Sequence, residues 1–269
     1  MELNIRGTKI NVTDDFVDSA LPNKLYFSHS QFGMYRRCAR QYEYRYIKNI
    51  KQPPGIAMTQ GSAIHKGAEV THRHTIEHGV PLPLEQATAS VADTFENMSQ
   101  MIEDWGEDFP GPIKDRTVQH FRTYYVSATP LIKPKAVEYA FASKVGTVPM
   151  VGFIDLIDEA NDVEVVSDLK FTGKKWIEQK LRHETQLTLY AHITGISRVR
   201  IDFLLDYKAG AKYVPIRSER TPDDAKLLEE DIQATVEYIK RGVFPRCDPT
   251  EWVCSERFCG YYQKCRGPK

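Results

Sequence analysis

No stretch of this sequence approaches the roughly 20 apolar residues that span a bilayer, and MELNIRGTKINV at its start has no basic segment leading into an apolar run. A membrane span and a secretory leader are therefore not expected, and the reading is a chain that stays in the cytosol. A surplus of charge is missing too: Lys+Arg and Asp+Glu both number 36, for a net charge of +0. That excludes a wholly basic nucleic-acid binder but not a local basic groove. Internal repeats, low-complexity tracts and long Pro/Gly linkers are absent, so nothing divides the chain, and residues 1–269 are taken as a single domain. What is present, 41% hydrophobic and 27% charged residues over 269 positions, suits a soluble globular protein with a sizeable core.

Residues 1–25 read as a short extended lead. Ser28 and Ser30 are N-cap residues for a helix to about Ile47, with Tyr35, Cys38, Tyr42 and Tyr46 on one stripe. Helices follow over about 60–78, 84–104 and 113–128, the last two parted by the FPGP turn at 109–112. After Pro134 the grammar changes. KAVEYAFASKV, PMVGFIDLID and DVEVVSDLKF read as strands, then a helix over about 182–195, strands RVRIDFLLDYK and KYVPIRS, and a closing helix over 222–241. The expectation is an α/β (α+β) fold in which helices flank a mixed central sheet: a helical part over 26–130, a sheet core over 134–220, and a carboxy-terminal helix with a cysteine cluster over 221–269.

The second and third strands carry the chemistry. Asp168 and Lys170 are two apart and share a face, while Leu169 points to the other layer. A tight turn at Asn161–Asp162 makes residue i face residue 323 − i, which sets Asp155 opposite Asp168. Like charges so placed destabilise a sheet unless a cation lies between them. A divalent ion would resolve this, with oxygen ligands from both aspartates and from the Leu169 carbonyl. The plain alternative is two solvent-facing aspartates at the open end of the sheet. His65 in GSAIHKG and Glu138 on the first strand are more often surface residues, although Glu138 could support a ligand or a lysine. Gln186 and Tyr190, i and i+4 on a helix, point the same way.

Of the five cysteines, Cys38 stands alone, and Cys247, Cys254, Cys259 and Cys265 crowd the carboxy terminus. In a reducing compartment clustered thiols bind metal more often than they pair. Four thiolates suit zinc or an iron–sulfur cluster, and a site including Cys38 would tie the chain's two ends together. Residues 35–51 set Arg36, Arg37, Arg40, Arg45, Lys48 and Lys51 against the single Glu43, interleaved with tyrosines. Cations for phosphates and rings for bases make a single-strand track. An amphipathic helix with its arginines in solvent fits equally well. On the track reading Tyr35, Tyr42 and Tyr46 face inward, leaving Tyr44 and Arg36, Arg37 and Arg40 as the contacts.

Six segments in order resemble the RecB-like exonucleases of the PD-(D/E)XK superfamily, especially the iron–sulfur members found in phages and with CRISPR systems: 27–47, GSAIH at 61–65, GFIDLID at 152–158, SDLK at 167–170, QLTLY at 186–190 and WVCSERFCGYYQKC at 252–265. The resemblance implies a restriction-endonuclease-like core and a bacterial, archaeal or phage-infected host cytosol. It implies Mg²⁺ or Mn²⁺ on His65, Asp155 and Asp168, Lys170 at the attacking water, and Gln186 and Tyr190 near the DNA. It further implies a [4Fe–4S] cluster on Cys38, Cys254, Cys259 and Cys265. Four residues separate Cys254 from Cys259 where many relatives have two, so Cys247 is a rival ligand, ranked last. The implied activity is metal-dependent DNA exonucleolysis on single strands or DNA ends. The rivals are a non-cleaving DNA-binding subunit of a recombination, repair or CRISPR complex, and a zinc-clamped adaptor.

Overall fold

The computed structural model describes residues 1–18, 21, 26–160, 163–173 and 184–267. The chain forms two compact units, one built from Pro53–Tyr139 and Phe153–Ala225, the other from Met1–Gln52, Ala140–Gly152 and Lys226–Lys269. Among the described residues no helix is long and apolar enough to cross a membrane.

A five-stranded mixed sheet runs in the order β3 (Pro134–Val145), β4 (Val148–Ala160), β5 (Val163–Thr172), β6 (Arg198–Tyr207), β7 (Gly210–Glu219). Here β5 pairs antiparallel with β4 and parallel with β6, and β6 pairs antiparallel with β7. The parallel step needs a crossover, and α6 (Thr185–Thr194) lies within it. Glu184 caps α6 by accepting from Leu187 N at 2.8 Å, and Gly195 ends it in the left-handed region at φ 74°. Arg182 and the Asn161–Asp162 turn lie outside the described residues.

Helices α3 (Ile56–His78), α4 (Leu84–Ser99) and α5 (Pro110–Ala128) bury Ile64, Val91, Phe95, Phe121 and Tyr124 against Leu156, Leu169 and Leu204 of the sheet. Leu169 thus points to this layer, while Lys170 reaches α6 on the other. Pro53 and Pro54 precede α3 because proline suits the approach to a helix start, and Gly79 at φ 74° stops it. Gly67 admits the neighbouring helices closely, since a Cβ there would lie 2.4 Å from Val91 Cγ2.

In the other unit the supposed extended lead is a hairpin, β1 (Glu2–Ile5) with β2 (Thr8–Asn11). It turns through Arg6 and Gly7 at φ 52° and 82°, the left-handed pair a two-residue hairpin asks for. The single helix expected from Ser28 to Ile47 is broken. Ser28 Oγ caps α1 (His29–Arg37), but Cys38 is extended (φ −162°, ψ 104°) before α2 (Ala39–Tyr42) and a π-helical turn over Glu43–Ile47. The amide of Arg40 leaves the helical ladder and donates to the Pro245 carbonyl at 3.0 Å, so a contact distant in sequence overrides the local periodicity. Helix α7 (Pro222–Lys240) buries Leu228, Ile232, Val236 and Ile239, as its spacing predicts.

Candidate active site

The β4–β5 register runs Leu156↔Ser167, Ile157↔Val166, Asp158↔Val165 and Ala160↔Val163, each pair obeying the 323 − i rule. The paired register ends at Leu156↔Ser167, one residue short of Asp155 and Asp168. Asp155 Oδ2 accepts from the Leu169 amide at 3.1 Å and lies 3.3 Å from His65 Nδ1. His65 comes from the third turn of α3, so helix and sheet meet at one carboxylate. The third member is Glu138 on β3: ligand atoms of His65, Glu138 and Asp155 all lie within 4.8 Å of one another, the only such trio among the described residues. Glu138 has φ 48°, a left-handed strand residue of the kind that collects at functional sites because surrounding structure must hold it there. From the sequence it was the least favoured member of the set, and no pattern announces a kink in an otherwise alternating strand.

Asp168, 1% exposed, stands beside this trio rather than in it. Lys170 Nζ is 2.7 Å from Asp168 Oδ2 and donates to Gln186 Oε1 at 2.9 Å. Gln186 donates in turn to the Tyr190 hydroxyl at 2.7 Å, which donates to the Phe153 carbonyl at 2.7 Å. Gln186 and Tyr190 were expected near the DNA. Gln186 meets the lysine, and the buried Tyr190 meets Gln186 and the Phe153 carbonyl. Burial pushes the Asp168 carboxyl up to about 7, Lys170 working against this and Asp155 with it. Burial presses Lys170 down, but the Asp168 carboxylate outweighs it, and the ammonium is held above its ordinary value. Burial also raises the Tyr190 hydroxyl well above its ordinary value, so it stays protonated.

The trio lines an open recess together with Glu69, His72 and Tyr124, among others. His72 Nε2 meets the Tyr124 hydroxyl at 2.8 Å, and burial lowers its pKa to about 4. Deeper still, Arg200 is held by Asp202 at 2.8 and 2.9 Å and by Asp158 at 2.9 Å, all three being at most 3% exposed. A buried cation between two carboxylates fixes a geometry, and removing any member strands a charge. Sequence reading missed this set. The one clue to His72 is its place seven residues after His65, on the same helical face.

The other unit gathers all five cysteines around one small recess. Burial pushes the Cys247 thiol up to about 12, with hydrogen bonds to Cys38 and Cys254 adding to it. Cys247, ranked last from sequence, therefore touches two of the expected ligands. Cys259 Sγ accepts from Gln41 Nε2 at 3.2 Å and Cys254 Sγ from Arg266 at 3.4 Å. The basic segment 35–51 is only partly presented to solvent. Arg37 and Arg45 are exposed, Arg36 pairs with Asp231 at 2.7 Å, and Arg40 is half-buried and bonded to Glu43. Tyr44, expected to point outward, is 7% exposed and packs on Tyr261 with ring centroids 5.4 Å apart. The π-helical turn rotates it inward.

A family model described as the PD-(D/E)XK nuclease superfamily matches residues 26–266. No curated protein matches the chain. Among solved structures, a candidate exonuclease from Eubacterium rectale superposes with a TM-score of 0.59 at 13% identity, over 97% of this chain and 95% of its own. A second, that of SSO0001, superposes with a TM-score of 0.38 at 12% identity, over 88% of this chain and 95% of its own.

Proposed function

We propose that this chain, which belongs to the PD-(D/E)XK nuclease superfamily, is a metal-dependent deoxyribonuclease of the RecB-like branch, acting as an exonuclease on single strands or DNA ends. The observation that carries the reading is the meeting of His65, Glu138 and Asp155 within 4.8 Å, beside the buried Asp168–Lys170 pair. One imidazole and two carboxylates are a fit set for Mg²⁺ or Mn²⁺, and the buried Asp168 is a further carboxylate at hand. A divalent ion held there would acidify a water and offset charge on the scissile phosphoryl oxygen.

The chain's own residues do the rest. Lys170, kept cationic by Asp168, favours hydroxide over water at the reacting centre and stabilises charge that develops on the phosphate. Gln186 and Tyr190 fix the lysine head from its far side, so its position does not depend on the substrate. Helix α3 supplies His65, and the Leu169 amide orients the Asp155 carboxylate. Digestion of end-labelled single- and double-stranded DNA with and without Mg²⁺ or Mn²⁺ tests this. Metal-dependent release of mononucleotides or short products from ends supports the reading, and no cleavage of either DNA defeats it.

The reading extends to a [4Fe–4S] cluster on Cys38, Cys254, Cys259 and Cys265. All five thiols line one space, and four thiolates suit an iron–sulfur cluster as well as zinc; the sequence resemblance favours the cluster. Arg40, Arg246 and Arg266 line the same space and offset thiolate charge. Association with a recombination or CRISPR complex remains part of this proposal through the sequence resemblance alone.

A further inference from the structure

Trp252 and Phe258 are 64% and 54% exposed, although rings of this size are normally among the most buried side chains. They pack edge to face, centroids 5.3 Å apart at 81°, and the Arg257 guanidinium lies 5.4 Å from the Phe258 ring centre. The segment that presents them is firmly held. Val253 between them is 4% exposed, Cys254 N donates to Glu251 O at 2.8 Å, and Cys259 N donates to Ser255 O at 2.9 Å. The rings are therefore carried outward by structured turns, and neither was used by the site described above.

The surroundings select the occupant. Glu251, Glu256 and Arg257 around the pair are exposed and charged, so the apolar area is two rings rather than a contiguous face. A stable protein interface covers roughly 800 Å² on each partner, far more than two side chains offer. Charge points to an anion instead. Residues 251–266 hold Arg257, Lys264 and Arg266 against Glu251 and Glu256, the latter already accepting from Gln263 at 3.0 Å. The 44–51 segment, with exposed Arg45, Lys48 and Lys51, is joined to this region through Tyr44 on Tyr261 and through the Tyr261 hydroxyl donating to Ile50 O at 2.8 Å. Exposed rings on a rigid support, with the Arg257 guanidinium over one of them, suit bases and a phosphate together.

We propose that Trp252 and Phe258, with Arg257 beside them, form a stacking platform for unpaired nucleobases of a DNA strand. The inference rests on the nuclease reading and narrows its substrate to DNA that presents unstacked bases. Binding of a short oligothymidylate is to be compared with that of an abasic oligonucleotide of equal phosphate count, by fluorescence anisotropy in a chelator. Wild type should prefer the base-bearing strand about tenfold, and Trp252→Ala and Phe258→Ala should each erase most of that preference. Phe109→Ala, removing an aromatic 70% exposed in the other unit, should leave it intact.

Equal binding of both oligonucleotides by wild type, or unchanged preference in both platform variants, overturns the platform. Metal-dependent cleavage by wild type would leave the nuclease reading standing in that case. Base preference lost in the variants, with no cleavage by wild type under any divalent metal, leaves the platform and removes the nuclease. A change of oligomeric state in Trp252→Ala with DNA binding untouched assigns the rings to a protein contact and also overturns the proposal.

Discussion

Lys170 is clamped from two sides, by the buried carboxylate of Asp168 at 2.7 Å and by the side-chain oxygen of Gln186 at 2.9 Å. A cation so held neither swings nor sheds its proton readily, which suits a fixed electrostatic role better than one of proton acceptor.

Lys170→Ala should therefore lower DNA cleavage by about 10²–10³-fold, the usual worth of a fixed charge-stabilising donor. DNA binding should be nearly unchanged. Tyr190→Phe, which keeps the ring but frees Gln186, should cost about tenfold. Steady-state cleavage rates for the two variants check this. Wild-type rates in Lys170→Ala would remove the lysine from the mechanism.

Divalent metal should raise the melting temperature through binding to the native state, by about 2.7 kcal/mol of stability at a hundredfold excess over Kd. Glu138→Gln should blunt this response as strongly as Asp155→Asn does, although only the latter was expected from sequence. Thermal shift against Mn²⁺ concentration measures both. An unaltered response in Glu138→Gln would leave the trio without its third member.

His72 gives acid sensitivity. Its pKa falls from 6.5 to about 4 on folding, so between these values the unfolded chain takes up a proton that the native chain refuses. Stability from this group is complete above about pH 6.5 and is lost as pH falls towards 4, about 3 kcal/mol in all. Asp168 acts in the opposite sense: its raised pKa favours the native state at low pH, and that contribution fades as pH rises through about 7. Urea midpoints between pH 7 and 5 for wild type and His72→Gln isolate the histidine by difference. Parallel profiles would mean that His72 does not titrate as argued.

Cys38→Ala should lose the visible absorption of anaerobically purified protein about as completely as Cys259→Ala, whereas Cys247→Ala should keep it. The contact of Cys247 with Cys38 and Cys254 makes this a demanding comparison. Bleaching in Cys247→Ala with colour retained in Cys38→Ala would transfer the ligand role from one to the other.

The β4–β5 register as far as Leu156↔Ser167 was legible because hairpin pairing is arithmetic: once one pair is set, every following pair is fixed. The succession of elements, the mixed sheet and helix α7 were legible through period and patterning. Glu138 was not, because its approach to His65 depends on one strand residue adopting a positive φ. Cys38 was placed on a continuous helix because periodicity cannot see the Pro245 carbonyl that draws the Arg40 amide away. Tyr44 was turned outward on paper by assuming 3.6 residues per turn where the chain takes a wider one. The Asp158–Arg200–Asp202 set was hidden because buried charges look like surface charges until their partners are known.

Strand β5 is bordered on both edges, antiparallel by β4 and parallel by β6. Its amides can exchange with solvent only when neighbouring strands part, which in a central strand approaches unfolding of the whole domain. Asp168 and Lys170 thus ride on what should be the slowest-exchanging stretch of the protein. Any adjustment to substrate must then come from the helix bearing His65 and from the kinked edge strand bearing Glu138. In hydrogen-exchange terms, half of this active site is permanent and half is adaptable.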